Sequence, residues 1–461
     1  MEQTIMETKY NKRYLARVVV EAATPLAVGT GDKDVLTDAL VARDLNGLPY
    51  IPGSSIAGVL RHSIGDNNDK DSIFGFQEGD KGRGSRIIFT DAVLLDANGE
   101  AQDGLKTTEK SKFLSHYDAL PIRQHVRINE LGSAADKGKF DEQVVYQGSR
   151  FVFEMEMVDY RDNEERFKAV LNMINSPVFR LGSGTRNGFG AMTVVDVKYR
   201  SLDLKNSEDL ALYITKSSSL SQDWEGYKTF SPKEREEQSW HEYVLELKPL
   251  DFFLFSSGFN DDEADITPVT ESRVTWNNEN KGRFEDEYIL IPASSVKGAI
   301  AHRVAYYWNK NKGHFIDEVN ENMGEGKVGN ENDAVKALFG HVGKNNKDIS
   351  RGNVLLSDVM IERTDSKLFN HVTIDRITGG TIDGHLFTEK VINGRDVKEF
   401  TLTLLVNEEV FQSEDGPDIK NAFERSLEDI CAGLLPLGGG TNRGHGIFTG
   451  SIIKGIDDNG N

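Results

Sequence analysis

The sequence predicts an α+β fold built as two tandem modules of one kind, each an elaborated ferredoxin-like arrangement. Three observations carry this. The chain contains itself twice at a domain-sized period. Each copy runs strand, helix, insertions, strand, helix, strand. The length, 461 residues, suffices for two cores.

The repeat is read from landmarks in one order. Ile51-Pro-Gly-Ser-Ser-Ile-Ala-Gly58 returns as Ile291-Pro-Ala-Ser-Ser-Val-Lys-Gly298, and Phe74-Gly75 as Phe339-Gly340. After each comes a glycine turn and a strand ending in aspartate, Gly84 to Asp91 and Gly352 to Asp358. His125-Val-Arg-Ile-Asn129 returns as His371-Val-Thr-Ile-Asp375. Leu181-Gly-Ser-Gly-Thr-Arg-Asn-Gly188 returns as Leu437-Gly-Gly-Gly-Thr-Asn-Arg-Gly444. Chance does not produce such an ordered set, so the chain is a duplication.

Apolar residues near period two predict an opening strand in each copy, Tyr14 to Glu21 and Tyr243 to Leu247. The Ile-Pro-x-Ser-Ser element predicts a helix with its serines as N-caps. Ile56, Val59, Leu60 and Ile64, then Val296, Ile300 and Val304, continue at helical spacing. A long strand is predicted over Phe151 to Val158 and Phe400 to Val406, and a helix over Glu165 to Ile174 and Asn421 to Leu434. A glycine loop then leads to a closing strand, Ala191 to Val197 and Ile447 to Ile453. Residues 1–200 and 240–461 are the expected modules. The polar stretch 201–239, with Ser217-Ser-Ser219 and a Lys/Glu run, reads as linker.

Composition narrows the function. One cysteine, Cys431, excludes a disulfide framework or a cysteine zinc site within the chain. No apolar run reaches the length of a membrane span, and Met1 to Arg13 lacks the apolar core of a secretory signal, so a cytoplasmic protein with no membrane partner is expected. The net charge of −20 argues against a free-standing nucleic-acid binder. The charge is uneven, however. Glu21, Glu78, Asp80 and the run Asp261 to Asp265 carry acid, while Lys106, Lys110, Lys112, Arg123 and Arg127 concentrate base. A nucleic acid would then be met in an assembly whose partners share the groove.

The glycine loops, Gly182-x-Gly184-x-x-x-Gly188 and Gly438-x-Gly440-x-x-x-Gly444, lack the Lys-Ser/Thr of a Walker loop. A helix precedes and a strand follows each, the reverse of a dinucleotide-binding turn. Two readings stay open: a tight turn with glycines at positive φ, or a phosphate-binding backbone. Thr185 with Arg186, and Thr441 with Arg443, favour RNA phosphate. Likewise Ser54, Ser55, Ser294 and Ser295 are either helix caps or ligands to phosphate and sugar oxygens, with Lys297 strengthening the second copy.

On these paired motifs the chain resembles the RAMP superfamily, and in particular the guide-RNA-binding backbone subunits of type III CRISPR effector complexes. The resemblance covers residues 14–200 and, with departures, 240–456. It implies modified ferredoxin-like (RRM-like) palms that hold guide RNA, with inserted thumb hairpins that push between bases. The regions His125 to Asn129 and His371 to Asp375, followed by Phe140 and Phe387, stand where thumbs would be, with Arg127 near a phosphate. Implied partners are CRISPR guide RNA, complementary target RNA, other RAMP backbone subunits and a large polymerase/cyclase-like subunit.

The resemblance also implies metal-dependent cleavage of target RNA by an aspartate between the opening strand and the Pro-Gly-Ser-Ser helix. Matching inward from Leu48 places it on Asp38, as catalyst and as ligand to a divalent ion, Mg2+ being expected; Asp32, Asp34 and Asp44 are neighbours with the same chemistry. In the second copy the match falls on Glu271, with Asp265 in reserve, and a weak or inactive second site is expected. The alternatives are a non-catalytic or filament-capping subunit, and a histidine-dependent guide-RNA processing enzyme using His62 or His302, or the thumb-side pair His125 and His371.

Overall fold

Strict alternation builds the first module around one strand, Lys12–Ala22. Tyr14, Ala16, Val18, Val20 and Ala22 are all fully buried on one face. The computed structural model describes residues 10–455 apart from 32, 34–36, 65–67, 107–108, 130–131, 222–225, 234–238, 315–326 and 343–348. Lys12–Ala22 pairs antiparallel with Met192–Asp203 on one side and with Arg150–Asp159 on the other. Beyond Arg150–Asp159 lie the short strands Ile87–Phe89 and Ala92–Leu94. Ile56 and Leu60 of helix Gly53–Ser63, with Phe167, Leu171 and Ile174 of helix Glu164–Ile174, cover the apolar face.

The second module repeats the order. Phe448–Lys454, Trp240–Pro249, Phe400–Asn407 and Val354–Leu356 lie side by side, all antiparallel. Helices Ala293–Asn311 and Gly416–Cys431 cover them through Val296, Ile300, Phe423 and Leu427. Each module is thus β-α-β-β-α-β, the strand before each aspartate joining the sheet as its fourth member. The strands expected between Gly84 and Asp91 and between Gly352 and Asp358 are present, each three residues long, Ile87–Phe89 and Val354–Leu356. No helix among the described residues is long and apolar enough to cross a membrane.

The helix starts correct the cap assignment. Pro52 and Pro292 hold the N-cap positions and offer no side-chain bond. The serines already lie inside the first turn. The aspartate ending each short strand reaches across instead: Asp91 Oδ1 accepts from Gly53 N–H, and Asp358 Oδ1 from Ala293 N–H, both at 2.8 Å. A carboxylate at the positive helix end stabilises it. Asp91→Ala is therefore expected to cost about 1 kcal/mol in urea unfolding, whereas Ser54→Ala should be close to neutral; the reverse ranking would refute this cap.

The thumbs are present as hairpins, Ile122–Ile128 with Ala134–Gln143 and Ser366–Ile374 with Thr381–Asn393. Their apolar residues stand in solvent, Ile377 at 94% exposure and Leu386 at 69%. The polar stretch after residue 200 is no free spacer. Met192–Asp203 runs into it, and it then forms helix Ser207–Thr215 and a strand, Lys228–Thr229, on the edge of the first sheet. Tyr213 hydroxyl bonds Glu156, and Leu220 is buried beside Val152.

The modules are not separate beads. A hairpin of the second, Thr270–Trp276 with Gly282–Ile291, docks into the core of the first. Phe284 packs on Phe113, Tyr117 and Tyr146 at 5.0–5.5 Å between ring centroids. Trp276 Nε1–H donates to the Gly148 carbonyl, and Val274 N–H to that of Gln147, both at 2.8 Å. Gly148 has φ +81°, and a Cβ there would lie 1.9 Å from the Val274 carbonyl, so only glycine fits under this hairpin.

Candidate nucleic-acid interface

At the base of each thumb the two modules place the same groups. In the first, Asp38 Oδ2 accepts from Asp141 N–H at 3.2 Å, and Ala39 bridges Glu142. In the second, Asp265 Oδ2 accepts from Thr388 N–H at 2.8 Å, and Ile266 bridges Glu389. Both carboxylates are exposed. His125 stacks on Phe140 and approaches Glu142; His371 stacks on Phe387 and approaches Glu389. The residue equivalent to Asp38 is thus Asp265.

The match to Glu271 fails because Glu271 belongs to the docked hairpin. It is 7% exposed and holds Arg123 by two bonds, Nε to Oε1 at 2.5 Å and a second at 2.8 Å. Arg123 also reaches Asp358 at 2.5 Å. Burial by itself lowers the pKa of this guanidinium, but Asp358 and Glu271 override it and hold the group above the usual arginine value. Arg123 is therefore a cross-module tie and not a free cation for RNA. Asp44 is a turn residue, accepting from the amides of Asn46 and Leu48. Asp32 and Asp34 lie outside the described residues.

A cleft of about 2140 Å³ opens between the first thumb and the palm of the second module. Arg127 lines it from the thumb, Ser294, Ser295 and Lys297 from helix Ala293–Asn311, and Gly438 and Thr441 from the second glycine loop. The fold thus brings together six residues that motif reading singles out separately. His302 also lines this cleft. Ser54 is exposed on the corresponding helix of the first module and Ser55 half-buried, outside the cleft.

The glycine loops divide between the two open readings. Gly182 and Gly438 have positive φ and back onto the carbonyls of Ala27 and Leu254, where a Cβ would stand at 2.5 and 2.4 Å. Gly184 and Gly440 abut the rings of Phe189 and His445. These glycines serve the turn. Arg186 faces the second module: its Nε donates to the Gly352 carbonyl at 2.8 Å, and its Nη1 donates to Thr185 Oγ1 at 3.4 Å. Arg443 pairs with the buried Glu389 at 2.5 Å, which His371 and His445 also contact through Nε2. Burial would raise the Glu389 pKa, but His371 and Arg443 outweigh it and lower it.

Burial, and then the Arg186 guanidinium, pull the Lys297 pKa down to about 8. Its usual value is 10.5, so between the two the unfolded chain binds the extra proton and stability rises with pH across that window. Lys297→Met should remove that rise, measured as unfolding free energy at about pH 7.5 and about pH 9.5. An identical pH slope in both proteins would contradict it.

Several of these groups escape motif reading. Asp91 and Asp358 stand out only as strand ends. Glu142 and Glu389 carry a signal that could have found them, since each lies two residues after the thumb phenylalanine. Among the described residues no group of three or more His, Cys, Asp or Glu is arranged to hold a metal by itself. Two stretches, 19–193 and 271–449, match the family model of the RAMP superfamily, one in each module. No curated protein matches the chain.

Proposed function

Since the chain belongs to the RAMP superfamily, a CRISPR-associated family of RNA-binding proteins, we propose that it is a guide-RNA-binding backbone subunit of a type III antiviral ribonucleoprotein that also cleaves complementary target RNA. The observation that carries this reading is the cleft between the first thumb and the second palm, where Arg127, Ser294, Ser295, Lys297 and Thr441 converge. Hydroxyls and cations along one groove suit phosphate and ribose oxygens, and the exposed apolar hairpins suit insertion between bases. The acidic remainder suits contact with further backbone subunits and a large partner subunit.

Cleavage is assigned to the thumb bases. Asp38 turns one carboxylate oxygen to the Asp141 amide, which fixes its position beside the thumb. A lone exposed carboxylate fits Mg2+ in the way this ion is commonly held, with substrate oxygens and water completing the shell. Bound there, the ion would supply charge stabilisation for a phosphoryl transfer. The thumb unstacks a nucleotide so that its ribose 2′-oxygen can align with the adjacent phosphorus, opposite the departing 5′-oxygen. Because Asp265 occupies the equivalent place, we assign a second cut to the second module, in place of the weak site a glutamate would make.

The test is cut-site mapping on the complex reconstituted with guide RNA and partner subunits. Asp38→Ala should slow one cut by at least about 10²-fold, Asp265→Ala a second, each leaving target binding intact. If neither variant alters any cut, the chain is a structural subunit and the nuclease assignment is lost.

A further inference from the structure

Four cations meet where the modules join; Arg180 is buried and donates to the Leu356 carbonyl and the Ser357 hydroxyl, which leaves Arg186, Lys297 and Arg351. Arg186 comes from the first glycine loop, and the carbonyl it bonds belongs to Gly352, the residue after Arg351. Asn187, next in that loop, accepts from Lys297 Nζ at 3.1 Å. Arg186 lies in the positive field of Arg351 and Arg180, and Lys297 in that of Arg186. Among the described residues, no carboxylate forms an ion pair with Arg186, Lys297 or Arg351. Two acids buried at the junction are already committed: Glu271 and Asp358 hold Arg123, and Asp358 also caps helix Ala293–Asn311.

Arg186 and Lys297 are half-buried and Arg351 stands exposed at the rim; like charges held together partly out of water without a counter-charge cost free energy, unless an anion completes them. The cost stands out in a chain of net charge −20, where carboxylates are plentiful. The cluster is also composite, because neither module alone assembles it.

We propose that this junction binds a phosphate-type anion, in the assembled complex a backbone phosphodiester of the guide RNA, between Arg186, Lys297 and Arg351, so that RNA binding and module docking reinforce each other. Its RNA identity rests on the function proposed above; the anion site itself does not. A ligand that binds only the docked arrangement stabilises it by mass action.

The test compares the full-length wild type with Lys297→Met/Arg351→Gln, which leaves the Arg123 tie and both thumb-base aspartates untouched. Binding of a short single-stranded RNA is measured across a salt series, and thermal unfolding is followed with tripolyphosphate against chloride at equal ionic strength. The variant should bind RNA at least about tenfold more weakly, with the salt slope shallower by about 0.7 for each phosphate it no longer neutralises. Tripolyphosphate should raise the unfolding midpoint of the wild type and not of the variant.

If the wild type binds RNA and the variant matches it in affinity and slope, the junction site is overturned while the RNA reading stands. If the isolated wild type does not bind RNA, tripolyphosphate decides. A shift dependent on Lys297 and Arg351 upholds the site for a free phosphate ligand and counts against the RNA reading. Equal shifts in both proteins, or none in either, overturn the site.

Discussion

Arg123→Met is expected to lower the unfolding free energy by about 3–5 kcal/mol, because it leaves two buried carboxylates without their cation. Arg123, Glu271 and Asp358 have side-chain exposures of 5%, 5% and 1%. The guanidinium rises from the first thumb, and both acids belong to the second module. The loss should therefore appear first as undocking, with a shallower or two-step urea transition and earlier proteolysis at the junction. Adding Glu271→Leu to Arg123→Met should recover part of the loss, since one stranded charge is then gone. Asp358 must stay, because it also caps Ala293. An unfolding free energy for Arg123→Met within about 0.5 kcal/mol of wild type would show that the tie is not structural.

Trp276→Ala should cost about 3 kcal/mol and loosen the same junction from its other side. The indole donates to the Gly148 carbonyl, packs edge-on to Phe113 at 6.3 Å, and lies under the Arg150 guanidinium at 4.2 Å. Truncation opens a hole in the first core and leaves the Gly148 carbonyl without its donor. Since Trp276 and Arg123 act on one docking step, their losses should not add; a double-mutant cycle should give a coupling of about 0.5 kcal/mol or more. Strict additivity would mean that hairpin and thumb dock independently. Trp276→Phe should restore most of the packing but not the hydrogen bond.

The palm was legible in the sequence for local reasons. Alternation in Tyr14 to Glu21 shows which face is buried, and the spacing of Val296, Ile300 and Val304 shows a helix stripe. Repetition of the landmarks then fixed two modules. The site was legible only in part. Asp38 and Asp265 both lie in acidic loops with no periodicity, and a linear match slides across the inserted hairpin to Glu271. The bridges Ala39 to Glu142 and Ile266 to Glu389 remove that ambiguity, because both thumb bases pair with their loops in one geometry.

By itself, then, the sequence determined the duplication, the order of elements within each module, and the residue types available to RNA, since these depend on spacing along the chain. Only the tertiary structure decided which of them act together. Asp91 caps a helix start 38 positions away, and Arg123 reaches Asp358 across 235. Such partners are joined by packing between elements and between modules, and packing leaves no period in the sequence. The same packing diverted Glu271 into a buried tie and set Arg186 beside Lys297.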